Sequence, residues 1–168
     1  MISVGKLTNN SKNQELLIKA SHILCKTKNN LQLIFLGEGE DKNRYIELTQ
    51  MLGIAEKVHF LGFKTNPYKY IVNSDLLVLS LNTEGFGNVL VEALALGVNV
   101  VSTDCPSGPK EILENGKYGF LSPVNDPVKL AETTQKALKS PIDSNTLKAY
   151  AEKFSTDNII DQYYSLLK

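Results

Sequence analysis

The sequence predicts an α/β fold, a doubly wound three-layer sandwich built on a mostly parallel sheet of about six strands. Three observations predict it. Short apolar runs alternate with longer segments of helical periodicity, the pattern left by crossover connections between parallel strands. Leu76-Leu-Val-Leu79 is continuously apolar rather than alternating, as expected of a central strand covered on both faces. The chain has 168 residues, which suits one such domain with a sizeable core, and it shows no internal repeat, low-complexity stretch or interdomain linker.

The elements follow in order. Ile2–Gly5 is the first strand. Asn13–Lys26 is the first helix, with Leu16, Leu17, Ala20, Ile23 and Leu24 at helical spacing. Strand Leu31–Leu36, helix Lys42–Leu52 and strand Val58–Leu61 come next. A short helix over Pro67–Val72 leads to strand Leu76–Leu79, helix Asn88–Leu96 and strand Val98–Ser102. Pro109–Glu114 is a short helix and Gly119–Leu121 a sixth strand. Helices Val128–Leu138, Asn145–Lys153 and Asn158–Leu167 close the chain. The arrangement is Rossmann-like, and such sheets bind ligands beyond the carboxyl ends of their strands. The loops after Gly5, Leu36, Leu61, Leu79 and Ser102 are therefore the places to look for function.

The loop after the first strand, Gly5-Lys6-Leu-Thr-Asn-Asn-Ser-Lys12, carries two lysines, mobile point charges suited to phosphate or simply solvated. Gly37-Glu38-Gly39-Glu40-Asp41 allows a tight turn and a close backbone approach, but lacks the third glycine of a dinucleotide fingerprint. Its carboxylates argue against an anion there and fit a helix start. Phe63, beside Gly62, either lines a flat base or packs within its loop.

The loop after Leu79 is the informative one. Thr83-Glu84-Gly85-Phe86-Gly87 runs into Asn88-Val-Leu-Val-Glu92-Ala-Leu-Ala-Leu-Gly97, a helix apolar nearly all round and so expected to be buried. Gly85 and Gly87 are expected to leave backbone N–H groups bare at its N-terminus, where an anion is favoured. Asn88 and Glu92 lie four apart on one face. A carboxylate on such a helix needs a partner, and a ligand with hydroxyl groups supplies one. Glu84, negative beside an anion site, either reads a sugar hydroxyl or serves as a helix-start carboxylate, and Glu92 either meets a ligand or forms half of a structural ion pair. Further on, Pro109 fits a first helical position and Glu111 the third position of a capping pattern.

Composition narrows the classes. Eighteen basic residues balance eighteen acidic ones, so there is no basic footprint for nucleic acid. No apolar run approaches a membrane span, and there is no charged-then-apolar leader. Cys25 and Cys105 form no disulfide framework, which favours a reducing compartment. His22 and His59 have no nucleophile or acid at a recognisable spacing. There is no Asp-x-Asp pair, and no metal or other cofactor is expected. A chain opening directly on a core strand reads as cut from something longer.

Taken together, these residues resemble the group 1 family of retaining, GT-B-fold glycosyltransferases, specifically their C-terminal, nucleotide-sugar-binding domain, so that 1–168 forms one half of a GT-B fold. The resemblance covers almost the whole chain. Glu84 and Glu92 match the family's E-x7-E motif, Asp75 the acidic residue before its central strand, and Gly108, Glu111, Gly116 and Gly119 its later landmarks. The resemblance implies roles. Lys12, and Lys6 in place of the usual arginine, would contact the donor diphosphate, and Glu84 the donor sugar, making Glu84, Lys6 and Lys12 the catalytic set. Gly5, Gly85, Phe86, Gly87, Asn88 and Val89 would line the sugar and phosphates, Phe63 the base, and Glu92 the ribose. A lysine at position 6 keeps the charge but loses the bidentate fork. The resemblance further implies retention of configuration, a nucleotide-sugar partner, an acceptor-binding N-terminal domain absent from this chain, and a cytoplasmic place at the inner face of a membrane through peripheral association of that domain. Polysaccharide or lipopolysaccharide synthesis is the family's habit. A non-catalytic nucleotide-sugar-binding module and a related GT-B enzyme, such as a nucleotide-sugar epimerase, are the alternatives.

Overall fold

The computed structural model describes residues 1–166, so Leu167, the predicted end of the last helix, lies outside the described residues. Six strands form one sheet: β1 (Ile2–Val4), β2 (Leu33–Leu36), β3 (Val58–Phe60), β4 (Leu77–Leu79), β5 (Val100–Thr103) and β6 (Phe120–Ser122). Their order is β3-β2-β1-β4-β5-β6 and every pairing is parallel. The helices are α1 (Gln14–Cys25), α2 (Lys42–Met51), α3 (Tyr68–Ile71), α4 (Asn88–Ala95), α5 (Pro109–Ile112), α6 (Pro127–Lys139), α7 (Ser144–Ala151) and α8 (Thr156–Leu166).

Alternation along the strands sends side chains to two separate cores. Val78, Val101 and Phe35 join Leu17 of α1, Tyr45 of α2 and Leu130 of α6 on one face. Ile2, Leu77, Leu79 and Val100 join Leu90 of α4, Ile112 of α5 and Leu147 of α7 on the other. The four residues Leu76–Leu79 are all buried, as a strand covered on both faces requires.

Local sequence fixes where helices start. Asn13, in the left-handed region at φ 43°, caps α1 by accepting from the Leu16 N–H. Asp126 caps α6 through the Val128 and Lys129 N–H groups, with Pro127 at the first helical position. The two strands predicted from Leu31 and Val98 begin two residues later, because Leu31 and Val98 are apolar lead-ins that pack without joining the ladder.

The direction of the crossovers reverses between β1 and β4: α1 covers one face and α4 the other. Such a reversal is the switch point at whose carboxyl side doubly wound sheets place their ligand crevice. Here the two loops leaving β1 and β4 are tied together, the Asn82 N–H donating to Ser11 O at 2.8 Å. One internal flaw accompanies the packing of α1 on α6. The hydroxyl of Thr134 is fully buried without a hydrogen-bond partner among the described residues. Thr134→Val keeps the shape and removes the orphan donor, so it should raise stability by about 1 kcal/mol in denaturant unfolding.

Candidate functional site

Three loops at the carboxyl edge are sewn together by main-chain bonds. The Gly5 N–H donates to Leu36 O at 2.9 Å, Leu7 N–H to Glu38 O at 2.9 Å, and Gly37 N–H to Gly62 O at 3.0 Å. The glycines of the second loop serve this contact. A Cβ on Gly37, whose φ is +138°, would lie 1.9 Å from Gly5 O, and one on Gly39 would lie 2.1 Å from Leu7 O. The close approach expected there is thus made by the protein's own backbone. The neighbouring carboxylates do not cap α2. Glu38 meets Lys42 at 3.4 Å and Glu40 meets Lys6 at 3.5 Å, while Asp41 accepts from the Asn9 N–H at 2.7 Å.

Beside these loops lies an open cleft of ≈ 470 Å³, whose apolar walls are Val4, Leu36, Phe63 and Pro67 and whose floor is Gly5 and Gly37. Lys6, Glu38 and Lys64 stand at its rim. Phe63 is 71% exposed, so it is a free aromatic face rather than a packed loop residue. The structure thus brings the predicted Gly5, Lys6 and Phe63 to one cleft.

A second group assembles across the β1–β4 crevice. Lys12 Nζ forms a part-buried ion pair with Glu84 Oε2. The lysine stem crosses the end of β1, where a Cβ on Gly5 would sit 3.9 Å from its Cε. The Lys12 segment is held to β4 by the Ser80 hydroxyl, which donates toward Lys12 O (3.1 Å) and Asn13 O (2.8 Å). Gly87, in the left-handed region at φ 95°, is the N-cap of α4 and provides no side chain to cap it. The N–H groups of Phe86, Gly87, Asn88 and Val89 have no acceptor among the described residues, so they form an open donor cluster at a helix N-terminus. Gly85 differs from expectation: its N–H donates to Glu84 Oε1 at 3.0 Å, because the carboxylate folds back over its own turn.

The loop after β5 braces this turn. The Ser107 hydroxyl donates to Glu84 O at 2.7 Å, and a Cβ on Gly108 would come within 2.6 Å of Phe86 O. The Phe86 ring meets Phe154 edge-on with centroids 6.0 Å apart. Gly108 opens α5 and puts Pro109 and Glu111 at its first and third positions as predicted, but no side chain makes a capping bond; Glu111 lies exposed on a surface pocket with Lys153 and Phe154.

Helix α4 is buried on one side only. Leu90, Ala93 and Leu94 enter the core, whereas Asn88 is exposed and Glu92 half-buried. Its apolar composition suggested full burial, but the exposed remainder includes Ala95. Glu92 has no ion-pair or hydrogen-bond partner among the described residues, and burial pushes its carboxyl up from the ordinary range. It is not among the residues lining the Phe63 cleft. Asp75 precedes β4 and so stands at the opposite edge of the sheet, and the exposed His59 of β3 pairs with Gln32, just before β2, at 2.6 Å. Ser80, Asn82, Ser107 and Gly108 support the crevice without having been singled out for that purpose by the sequence; the signal available was a run of small polar residues following apolar strands.

The chain matches known proteins over most of its length. It is 37% identical over 157 residues to the N-acetylgalactosamine-N,N'-diacetylbacillosaminyl-diphospho-undecaprenol 4-alpha-N-acetylgalactosaminyltransferase of Campylobacter jejuni, covering 93% of this chain and 41% of that protein. It is 38% identical over 134 residues to an uncharacterised glycosyltransferase of Methanocaldococcus jannaschii, covering 72% and 33%. The chain therefore spans less than half the length of these relatives. Among solved structures, Anabaena HepE in complex with UDP-glucose superposes with a TM-score of 0.86 at 25% identity, covering 99% of this chain and 48% of that one. The Staphylococcus aureus TarM structure, with a TM-score of 0.85 at 23% identity, shares the fold. The sequence profile described as Glycosyl transferases group 1 matches residues 1–154, and this chain belongs to that family.

Proposed function

We propose that this chain is the donor domain of a retaining glycosyltransferase and binds a nucleoside diphosphate sugar across the β1–β4 crevice. The observation that carries the reading is the open N–H cluster of Phe86–Val89 beside the Lys12–Glu84 pair, at the point where the sheet reverses direction. In this reading the diphosphate takes the N–H groups and Lys12, with Lys6 near its outer end. Phe63 and the cleft take the base. Glu92, half-buried and without a partner among the described residues, accepts from the ribose hydroxyls. Glu84 is released from Lys12 to hold hydroxyls of the sugar. The names of the relatives support a sugar donor and a saccharide or lipid-linked acceptor in polysaccharide or lipopolysaccharide assembly.

Charge dictates the chemistry. Cleavage of the glycosidic bond leaves negative charge on the diphosphate, which fixed N–H dipoles and a lysine stabilise without a resident metal. The sugar becomes oxocarbenium-like, and a carboxylate at Glu84 is compatible with that charge. The lengths of the relatives support a second, acceptor-binding domain in the complete protein. That domain would close the cleft and place the enzyme at the inner membrane face by peripheral contact. This chain alone is then expected to bind donor and to transfer little or no sugar.

Calorimetric titration with UDP, GDP and ADP and their sugar conjugates tests the reading. One base series should bind, and Phe63→Ala should weaken it by about tenfold, in line with base stacking on an aromatic face. No binding by any diphosphate at millimolar concentration would sink it.

A further inference from the structure

We propose that Asn82 is a positioning residue for the donor diphosphate, acting through Lys12. The inference rests on the donor reading above and adds a residue to it. Asn82 stands two places before Glu84, just beyond β4, and makes four contacts with the segment that carries Lys12. Its backbone N–H donates to Ser11 O at 2.8 Å. Its Nδ2 donates to Asn9 O at 3.2 Å and Asn10 O at 3.1 Å. Its Oδ1 accepts from Asn13 Nδ2 at 2.8 Å.

These bonds need one side chain with two donors and an acceptor at a fixed separation. An asparagine amide supplies that set; aspartate would set a second acceptor against two carbonyls. The polarity of the amide follows from its neighbours. The two carbonyls can only accept, and Asn13 Nδ2 can only donate. Asn13 in turn spends its own Oδ1 on the Leu16 N–H and its Nδ2 also on Asn125 Oδ1 at 3.2 Å. The first turn of α1, the Lys12 segment, the end of β4 and the loop after β6 are thereby tied into one network.

The consequence is specific. A lysine side chain is flexible, and its usefulness to an anion depends on how well its backbone is held. Asn82 fixes the main chain on the N-terminal side of Lys12, and Ser80 fixes the lysine's own carbonyl. The same two residues, just past β4, set the path to Glu84. Asn82 therefore fixes the separation between the two members of the ion pair while hydrogen-bonding to neither side chain.

The test is a double-mutant cycle on the 168-residue chain, read by titration with UDP, GDP and ADP and with the matching nucleosides. Asn82→Ala should lower affinity for the diphosphate that binds by about tenfold in the wild-type background and by less than about twofold in the Lys12→Ala background. Nucleoside binding, which uses the Phe63 cleft, should stay within about twofold. Should Asn82→Ala fail to fold, Asn82→Ser keeps one donor and should show a smaller loss with the same coupling. An equal loss in both backgrounds, or no loss in either, overturns the proposal while leaving the donor reading standing. If Lys12→Ala itself leaves diphosphate affinity unchanged, the lysine is not at the diphosphate and the role of Asn82 falls with it; if no diphosphate binds the wild-type chain, the donor reading falls.

Discussion

Lys12→Ala is expected to weaken nucleoside diphosphate binding by about a hundredfold, close to 2.7 kcal/mol, as fits a lost charge-assisted bond in a part-buried setting. The geometry explains why the effect should be large. The lysine side chain is only 27% exposed, lies along the end of β1 and reaches Glu84, which is 17% exposed. Its removal leaves that carboxylate without its cation beside the N–H cluster meant for the phosphates. Lys6 is the internal comparison. It is 64% exposed and sits 3.5 Å from an equally exposed Glu40, so Lys6→Ala should cost only a few-fold. Glu84→Gln should act in the opposite direction on the bare nucleotide. It releases Lys12 and removes a negative charge, so UDP or its counterpart binds more tightly, while the preference for the sugar-bearing form is lost. Calorimetry on the three variants reads all of this. A Lys12→Ala affinity within about twofold of wild type would remove the lysine from the site.

The pairing of Lys12 with Glu84 bears on how much of the site the sequence revealed. The strand–helix alternation and the continuous apolar run at Leu76–Leu79 were sufficient for the layered fold, because burial on two faces leaves a plain mark on composition. The loops that carry chemistry were also legible, since a parallel sheet puts them all at one edge. What each polar group bonds was not. Gly85 reads as an open donor until Glu84 folds back onto it, and Glu111 takes the predicted third position of its helix without making the capping bond that position suggests. Asn82 looks like one more loop asparagine, although it holds four groups from a segment about seventy positions away. Such bonds depend on register between distant segments, which local spacing does not encode. Glycine is the sharpest case. The pair Gly37 and Gly39 reads as a tight turn open to a close backbone approach, but only the structure shows that the atoms approaching are Gly5 O and Leu7 O.

That finding makes Gly37→Ala the mutation with the largest expected effect on folding. Two costs add. A non-glycine residue at φ +138° is strained by about 1–2 kcal/mol. The new Cβ would also stand 1.9 Å from Gly5 O, a backbone atom that cannot swing aside. Relief requires the loops after β1 and β2 to part, breaking the Gly5 N–H bond to Leu36 O and lifting the floor of the Phe63 cleft. Overpacking of this kind adds about 1–3 kcal/mol, so a total near 4 kcal/mol is expected in denaturant unfolding. Gly53→Ala isolates the two costs. Gly53 also has a positive φ, +66°, but nothing lies within 4 Å of its Cβ position. It should therefore lose only the conformational part, about 1 kcal/mol, with diphosphate affinity unchanged. The difference between the two variants contains the clash together with the greater backbone strain of φ +138°. If they prove equally stable, the contact between the β1 and β2 loops does not constrain the cleft. If Gly37→Ala loses both stability and base affinity while Gly53→Ala keeps the latter, Gly37 acts on the ligand indirectly, by letting the β1 loop lie close enough to carry Gly5 and Lys12 into place.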